Sequence, residues 1–289
     1  MSVKATSFFK PIYFQTGVLL APFVVLYFPF IQTMVQDWNV NDNYSHGYFI
    51  PLISAFMIYT VRNELRDVAI SPNNMGLTLI VLGLIQLTVA KVGSEYFLQR
   101  TSMILVLFGL SLFLLGKRFT KKISIPILYL IFMIPIPAII WNKFAFPMKL
   151  FASGLSEKVI QTIGIPVLRE GNILHLANTT LEVVDACSGL RSLTSMFALS
   201  VAFAYLSGHS RARQWVLFLS AAPIAILINI IRLTLTAGLA SQFGEEIPQN
   251  FFHELSGWLV FLLGLALLAG VHILLLKIKA TSGAKYVEN

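Results

Sequence analysis

Long apolar runs alternate with short loops rich in lysine and arginine along this chain, and that alternation permits few folds. An apolar stretch of about 20 residues matches the hydrocarbon thickness of a bilayer at helical rise. Inside lipid, every backbone N–H and C=O must find its partner within the segment, so the runs must be helical. Eight spans are expected, at about 15–35, 47–61, 76–92, 101–116, 123–140, 189–206, 215–239 and 256–276. Composition agrees, since 56% of the 289 residues are hydrophobic and only 12% are charged, against about 25% charged in soluble domains. The expected fold is an all-α polytopic membrane bundle of about eight transmembrane helices. A short amphipathic helix and a small β-meander would sit on its outer face.

The loops predict the orientation. With the N-terminus inside, the inner segments hold 13 of the 21 Lys and Arg residues, among them Arg62, Arg66, Lys117, Arg118, Lys121, Lys122, Arg211 and Arg213. Ten of the 13 acidic residues fall on the outer side. By the positive-inside rule both termini face the cytoplasm. The net charge of +8 is accounted for by these loops, so no nucleic-acid partner is expected. The run from Gly17 to Val35 is too long for a signal-peptide core and reads as an anchoring span. The whole chain, 1–289, reads as a single integral membrane domain. It carries an outer-face insertion at 141–187 and a polar cytoplasmic tail, without regular structure, at 277–289.

Two outer segments carry pattern. Trp38 to Gly47 is polar and aromatic, as suits a loop at headgroup level. From Phe146, a stretch with helical apolar spacing is expected to lie along the membrane surface. Turn signals at 170–172 and 177–180 then separate three β-type runs, IleProValLeuArg, AsnIleLeuHisLeu and ThrLeuGluValVal. The last of these leads to Cys187.

Cys187 is the only cysteine, which excludes an intrachain disulfide and any multi-cysteine metal site. No metal or cofactor is expected. A thiol at the mouth of a helix, with Asp185 or Ser188 as cap, feels the positive end of the dipole, which favours thiolate. Arg191 lies one turn further on the same face. Arg232, in AsnIleIleArg, falls about 10 Å short of the outer end of its span by helical rise. A charge at that depth is costly and should face the bundle, with Asn229 beside it. His253 precedes the last span on the outer side. Cys187, Arg191, Arg232 and His253 thus come from three segments to one leaflet, a set suited to nucleophilic acyl transfer. His209 and His272, toward the inner side, read as structural, and His175 as a surface residue of the meander.

At these residues the chain resembles the exosortase/archaeosortase family of multi-pass membrane transpeptidases. AlaCysSerGlyLeuArgSer at 186–192 is the strongest element; LeuArgGluGlyAsn at 168–172, AsnIleIleArg at 229–232, His253 and TyrSerHisGly at 44–47 accompany it. The resemblance implies a bacterial inner-membrane enzyme with its active site facing the periplasm. It would cleave membrane-anchored proteins bearing a C-terminal PEP-CTERM signal and pass them to an unidentified acceptor, alongside exopolysaccharide production. It implies Cys187 as nucleophile, Arg232 as oxyanion or substrate-orienting group and His253 as acid/base. Arg191, Asn229 and Ser188 would support them, and His46 matches a motif whose role the resemblance leaves open. The substrate's helix would arrive sideways through lipid, near the outer ends of the last three spans.

Two other readings fit the composition. One is a transporter of a polyprenyl-linked sugar, for which ProIlePro at 135–137 offers a helix break. The other is a non-enzymatic scaffold in exopolysaccharide assembly, which would tolerate loss of Cys187.

Overall fold

The computed structural model describes residues 9–177, 180–182, 190–243 and 251–284. They form two compact units, 1–136 and 137–289.

The first unit runs α1 (Phe9–Val40), a 3-10 turn (Asp42–Tyr48), α2 (Phe49–Thr60), the single turn α3 (Arg62–Arg66), α4 (Met75–Val92), α5 (Tyr96–Leu115) and α6 (Lys117–Tyr129). Helices α4 and α5 are its closest pair. A Cβ on Gly76 would come within 2.6 Å of Phe113 Cα and 2.5 Å of Gly109 O, so only glycine lets the two backbones approach this far. Without a hydrophobic force between helices in lipid, such close contact is how they associate. Some polar groups inside the unit are matched at short range. Tyr27 Oη and Ser102 Oγ lie 3.0 Å apart, and Ser54 Oγ donates to Pro126 O at 2.7 Å. Arg100, 5% exposed, meets Asp37 of α1 at 2.5 Å.

Helix α6 ends in a 3-10 turn, Leu130–Met133, and the backbone is extended at Ile134 and Pro137. Pro135 and Pro137 supply no N–H, and each disfavours a helical residue before it. The groups freed by the break are taken up by the segment after α1. Trp38 Nε1 donates to Met133 O at 2.8 Å, and the Ile136 N–H donates to Tyr44 Oη at 3.1 Å. The imidazole of His46 lies within bonding reach of the Phe132 carbonyl. The expected span at 123–140 is therefore interrupted at 134–137.

The second unit runs α7 (Ala138–Thr162), strands β1 (Val167–Glu170), β2 (Ile173–Leu176) and β3 (Thr180–Glu182), then α8 (Leu190–Leu206), α9 (Arg211–Phe243) and α10 (Phe251–Ala284). The strands form an antiparallel meander in the order β1-β2-β3, as the turn signals predict. The β1–β2 turn uses Gly171 at φ +65°, a conformation that costs glycine little. Ser153 Oγ and Arg169 Nη1 both donate to the Gly171 carbonyl, and Arg169 Nε donates to Glu157 Oε2 at 3.1 Å. These bonds strap the meander to α7. His175 lies on β2, its side chain 37% exposed beside Glu170, in the surface position expected of it.

Several expectations give way here. The short amphipathic helix is a 25-residue helix that begins at Ala138. Its buried positions include Ala145, Ala152, Ser153 and Ser156, while Phe144, Phe146 and Phe151 point outward. Small residues thus line much of its packed face, which lets neighbouring backbones approach closely. Helix α10 continues to Ala284, so helical backbone replaces the irregular tail expected after Lys277. Among the described residues four helices are long and apolar enough to cross a membrane: Met75–Val92, Tyr96–Leu115, Arg211–Ser241 and Phe261–Ile278. A fifth is added if Lys117–Met133 and Ala138–Thr162 are taken as one broken span. The expected count of about eight is not confirmed among the described residues. Helix α2 has only 12 residues, well under the roughly 20 that a span needs, and the apolar described part of α8 is Thr194–Leu206.

Candidate active site

Helix α9 carries the second unit. One face of it packs Leu217, Ala221, Ile224, Ala225 and Ile228 against Met196 and Ala204 of α8 and Leu268 and Leu275 of α10. Another face packs Leu233, Ala237 and Ala240 against Ala152 and Ile160 of α7 and Leu174 and Leu176 of the meander. At about 100° per residue, Arg232 and Asn229 project between Ile228 of the first cluster and Leu233 of the second. A polar strip thus divides two dry ones. Arg232 is 7% exposed and Asn229 3%. No acidic residue occurs anywhere on α9.

Axial levels follow from one close crossing. A Cβ on Gly264 of α10 would lie 2.7 Å from Ile228 Cδ1 and 3.2 Å from Met196 Sδ, so residues 196, 228 and 264 share a level. Helices α8 and α9 are antiparallel neighbours joined through 207–210, and α10 runs antiparallel to α9. At 1.5 Å per residue, Arg232 stands about 6 Å from that level, and Leu190, where α8 begins, about 9 Å on the same side. His253 stands about 16 Å from it, again on that side. The entry to α8, the buried guanidinium and the His253 position on α10 therefore lie toward one end of the unit.

Cys187 and Ser188 lie outside the described residues, and for Arg191 and His253 only the helix position is described. His46 belongs to the first unit, in the 3-10 turn beside the helix break. Burial holds its imidazole below the usual histidine range, opposed by the carbonyls of Phe132 and Asn43. The Asn43 carbonyl is near, but Nδ1 meets no partner of ordinary hydrogen-bond geometry. His46 stands in a structural clamp.

Two features had not been read from sequence. Trp38 and Tyr44 work with His46 on the break; the aromatic loop was visible, but its partners lie far along the chain, at Phe132, Met133 and Ile136. Ser156 of α7 is fully buried with an unpartnered hydroxyl, and both amide atoms of Asn229 are likewise unpartnered. At the opposite end of the unit, His209 is 8% exposed and its Nε2 lies 2.9 Å from His272 Nδ1, with the Phe203 ring edge-on to His272. That pair fits the structural reading of both histidines.

A mostly helical, multi-pass membrane protein with a buried cation between two packing clusters is the class this arrangement defines. The chain matches the family model for transmembrane exosortases over residues 38–270, and it belongs to that family. It is similar to a probable archaeosortase E from Methanocaldococcus jannaschii, at 25% identity over 91 residues. That match covers 32% of this chain and 46% of the relative, so the chain spans less than half the length of that curated protein. No solved structure matches the chain.

Proposed function

We propose that this chain is a membrane-embedded cysteine transpeptidase, a single catalytic domain in a bacterial inner membrane with cytoplasmic termini and a periplasmic site. It cleaves C-terminal sorting signals of PEP-CTERM type and transfers the protein to a surface acceptor. The observation that carries this reading is Arg232, buried beside the unpartnered amide of Asn229 at the end of the unit where the chain enters α8. Family membership supports the same reaction class.

In this mechanism the Cys187 thiolate attacks the scissile carbonyl, forming a C–S bond and an oxyanion. The Arg232 guanidinium donates hydrogen bonds to that oxygen, an effect worth several kcal/mol in a dry site. The C–N bond then breaks, and His253 gives its proton to the departing amine. The thioester is resolved by the acceptor nucleophile, whose proton returns to His253. The C–S bond breaks and Cys187 leaves as the thiolate, which restores the starting state.

One finding favours the transporter reading: the helix break at 134–137. A transporter built from repeats needs a matching break in its other half, whereas α9 runs unbroken from Arg211 to Phe243 despite Pro223. Following substrate trimming on a gel in a strain without paralogues tests the peptidase. Cys187→Ala should abolish trimming, by more than 1,000-fold, while membrane insertion stays normal. Unaltered trimming in that strain would leave a transporter or a scaffold as the account.

A further inference from the structure

Asn229 presents the sharpest unexplained feature of the second unit. A buried carboxamide left without partners carries an uncompensated desolvation penalty, so its retention between two well-packed clusters calls for a partner that is absent when the site is empty. Its Oδ1 accepts, its Nδ2 donates, and neither is used. A carboxamide with both ends open is complementary to a peptide unit, which offers one N–H and one C=O in a plane. Within Asn229's own turn stands Arg232, three residues on, about 4.5 Å along the axis. One residue of extended chain covers about 3.4 Å. If the reacting carbonyl sits at Arg232, the neighbouring peptide unit falls at Asn229. Asn229 is the deeper of the two, measured from the end where α8 begins. The membrane helix of a C-terminal sorting signal lies on the carboxyl side of the cleaved bond, so the unit at Asn229 is the one just beyond it.

We propose that Asn229 is a positioning residue that reads the substrate's main chain. Its Oδ1 accepts from the N–H, and its Nδ2 donates to the C=O, of the peptide unit immediately carboxyl-terminal to the scissile bond. This deepens, and rests on, the transpeptidase reading above. The substrate class that follows is an extended segment between the scissile bond and the membrane helix, recognised there by backbone rather than by side chain. Ser156, buried and unpartnered on the face of α7 that packs against α9, offers a further hydroxyl on the α7 side of the same seam.

The role separates from a structural one in a direction that structural roles do not share. Replacing an unpartnered buried amide with an apolar group of similar size removes a desolvation penalty. Asn229→Leu in the full-length protein, in detergent or nanodiscs without substrate, should therefore melt at the wild-type temperature or above. The same variant should process a synthetic PEP-CTERM-type peptide, complete with its membrane helix, with kcat/KM reduced about 10- to 100-fold. An ester in place of the amide just beyond the scissile bond should slow the wild-type chain about tenfold and leave Asn229→Leu nearly unaffected. A lower melting temperature or failure to fold for Asn229→Leu overturns the proposal. So does an equal ester penalty in both proteins. Wild-type protein that never processes the amide peptide contradicts the transpeptidase reading itself. Processing with an unchanged kcat/KM in Asn229→Leu contradicts only the role of Asn229.

Discussion

Each unit buries an arginine, and the two are managed differently. Arg100 of the first unit ends on Asp37, whose carboxylate is 45% exposed, with the Tyr96 ring 5.8 Å away. Its charge is neutralised at the edge of the unit by a partner water can reach. Arg232 of the second unit sits beside Asn229, a buried carboxamide whose two amide atoms meet no partner. Burial of a cation is equally deep in both places and so does not by itself mark a site. What distinguishes Arg232 is a whole unpartnered carboxamide next to it; at Arg100 the unspent capacity is its own Nε. The polar groups of the first unit near the break mostly serve the fold, holding an interrupted helix at Met133–Ile136.

The contrast can be broken by exchanging each arginine for lysine. Lysine keeps the charge but loses the planar fork of donors. Arg232→Lys should lower substrate processing at least 100-fold with little change in melting temperature. Arg100→Lys should leave processing within about threefold of wild type, because its ion pair lies partly in water and contributes about 1 kcal/mol or less. Comparable losses of processing in both variants would erase the distinction between the two units.

A smaller effect sharpens the picture of the first unit as scaffold. Burial favours neutral His46 in the folded chain, so the unfolded chain binds the proton more readily. The His46 contribution to stability is then complete above about pH 6.5 and is lost as pH falls below that toward the lowered folded value. Melting of wild-type protein should drop by a few °C more than that of His46→Gln between pH 7 and pH 5. Parallel curves for the two proteins would remove His46 from the clamp.

Local signals carried the parts of the fold that are local. GluGlyAsn at 170–172 marked the β1–β2 turn, the β-type runs matched all three strands, and the start of α8 fell within one residue of expectation. ProIlePro marked the helix break, yet the apolar run around it still read as a span. The groups that satisfy the broken backbone, Trp38, Tyr44 and His46, come from a loop far away in sequence, and no local pattern pairs them. The length of α7 was missed because its helical apolar spacing was read only from Phe146 onward. In the structure Pro147 is carried inside one continuous helix. Arg232 and Asn229 were legible as residues out of place in lipid. That Asn229 keeps both amide atoms unpartnered depends on the two clusters beside it, which only packing reveals.

The central claim is a covalent one, and intact-protein mass spectrometry reads it directly. Acid quench of the wild-type protein during turnover should trap the acyl-enzyme, whereas His253→Ala, which lacks the proton that expels the amine, should form little of it. Incubated with full-length substrate, the wild-type protein should carry a thioester-linked adduct on Cys187, with the mass of the protein up to its cleavage site, discharged by hydroxylamine. Substrate trimmed with no adduct on Cys187, or an adduct that persists in Cys187→Ala, would contradict the account.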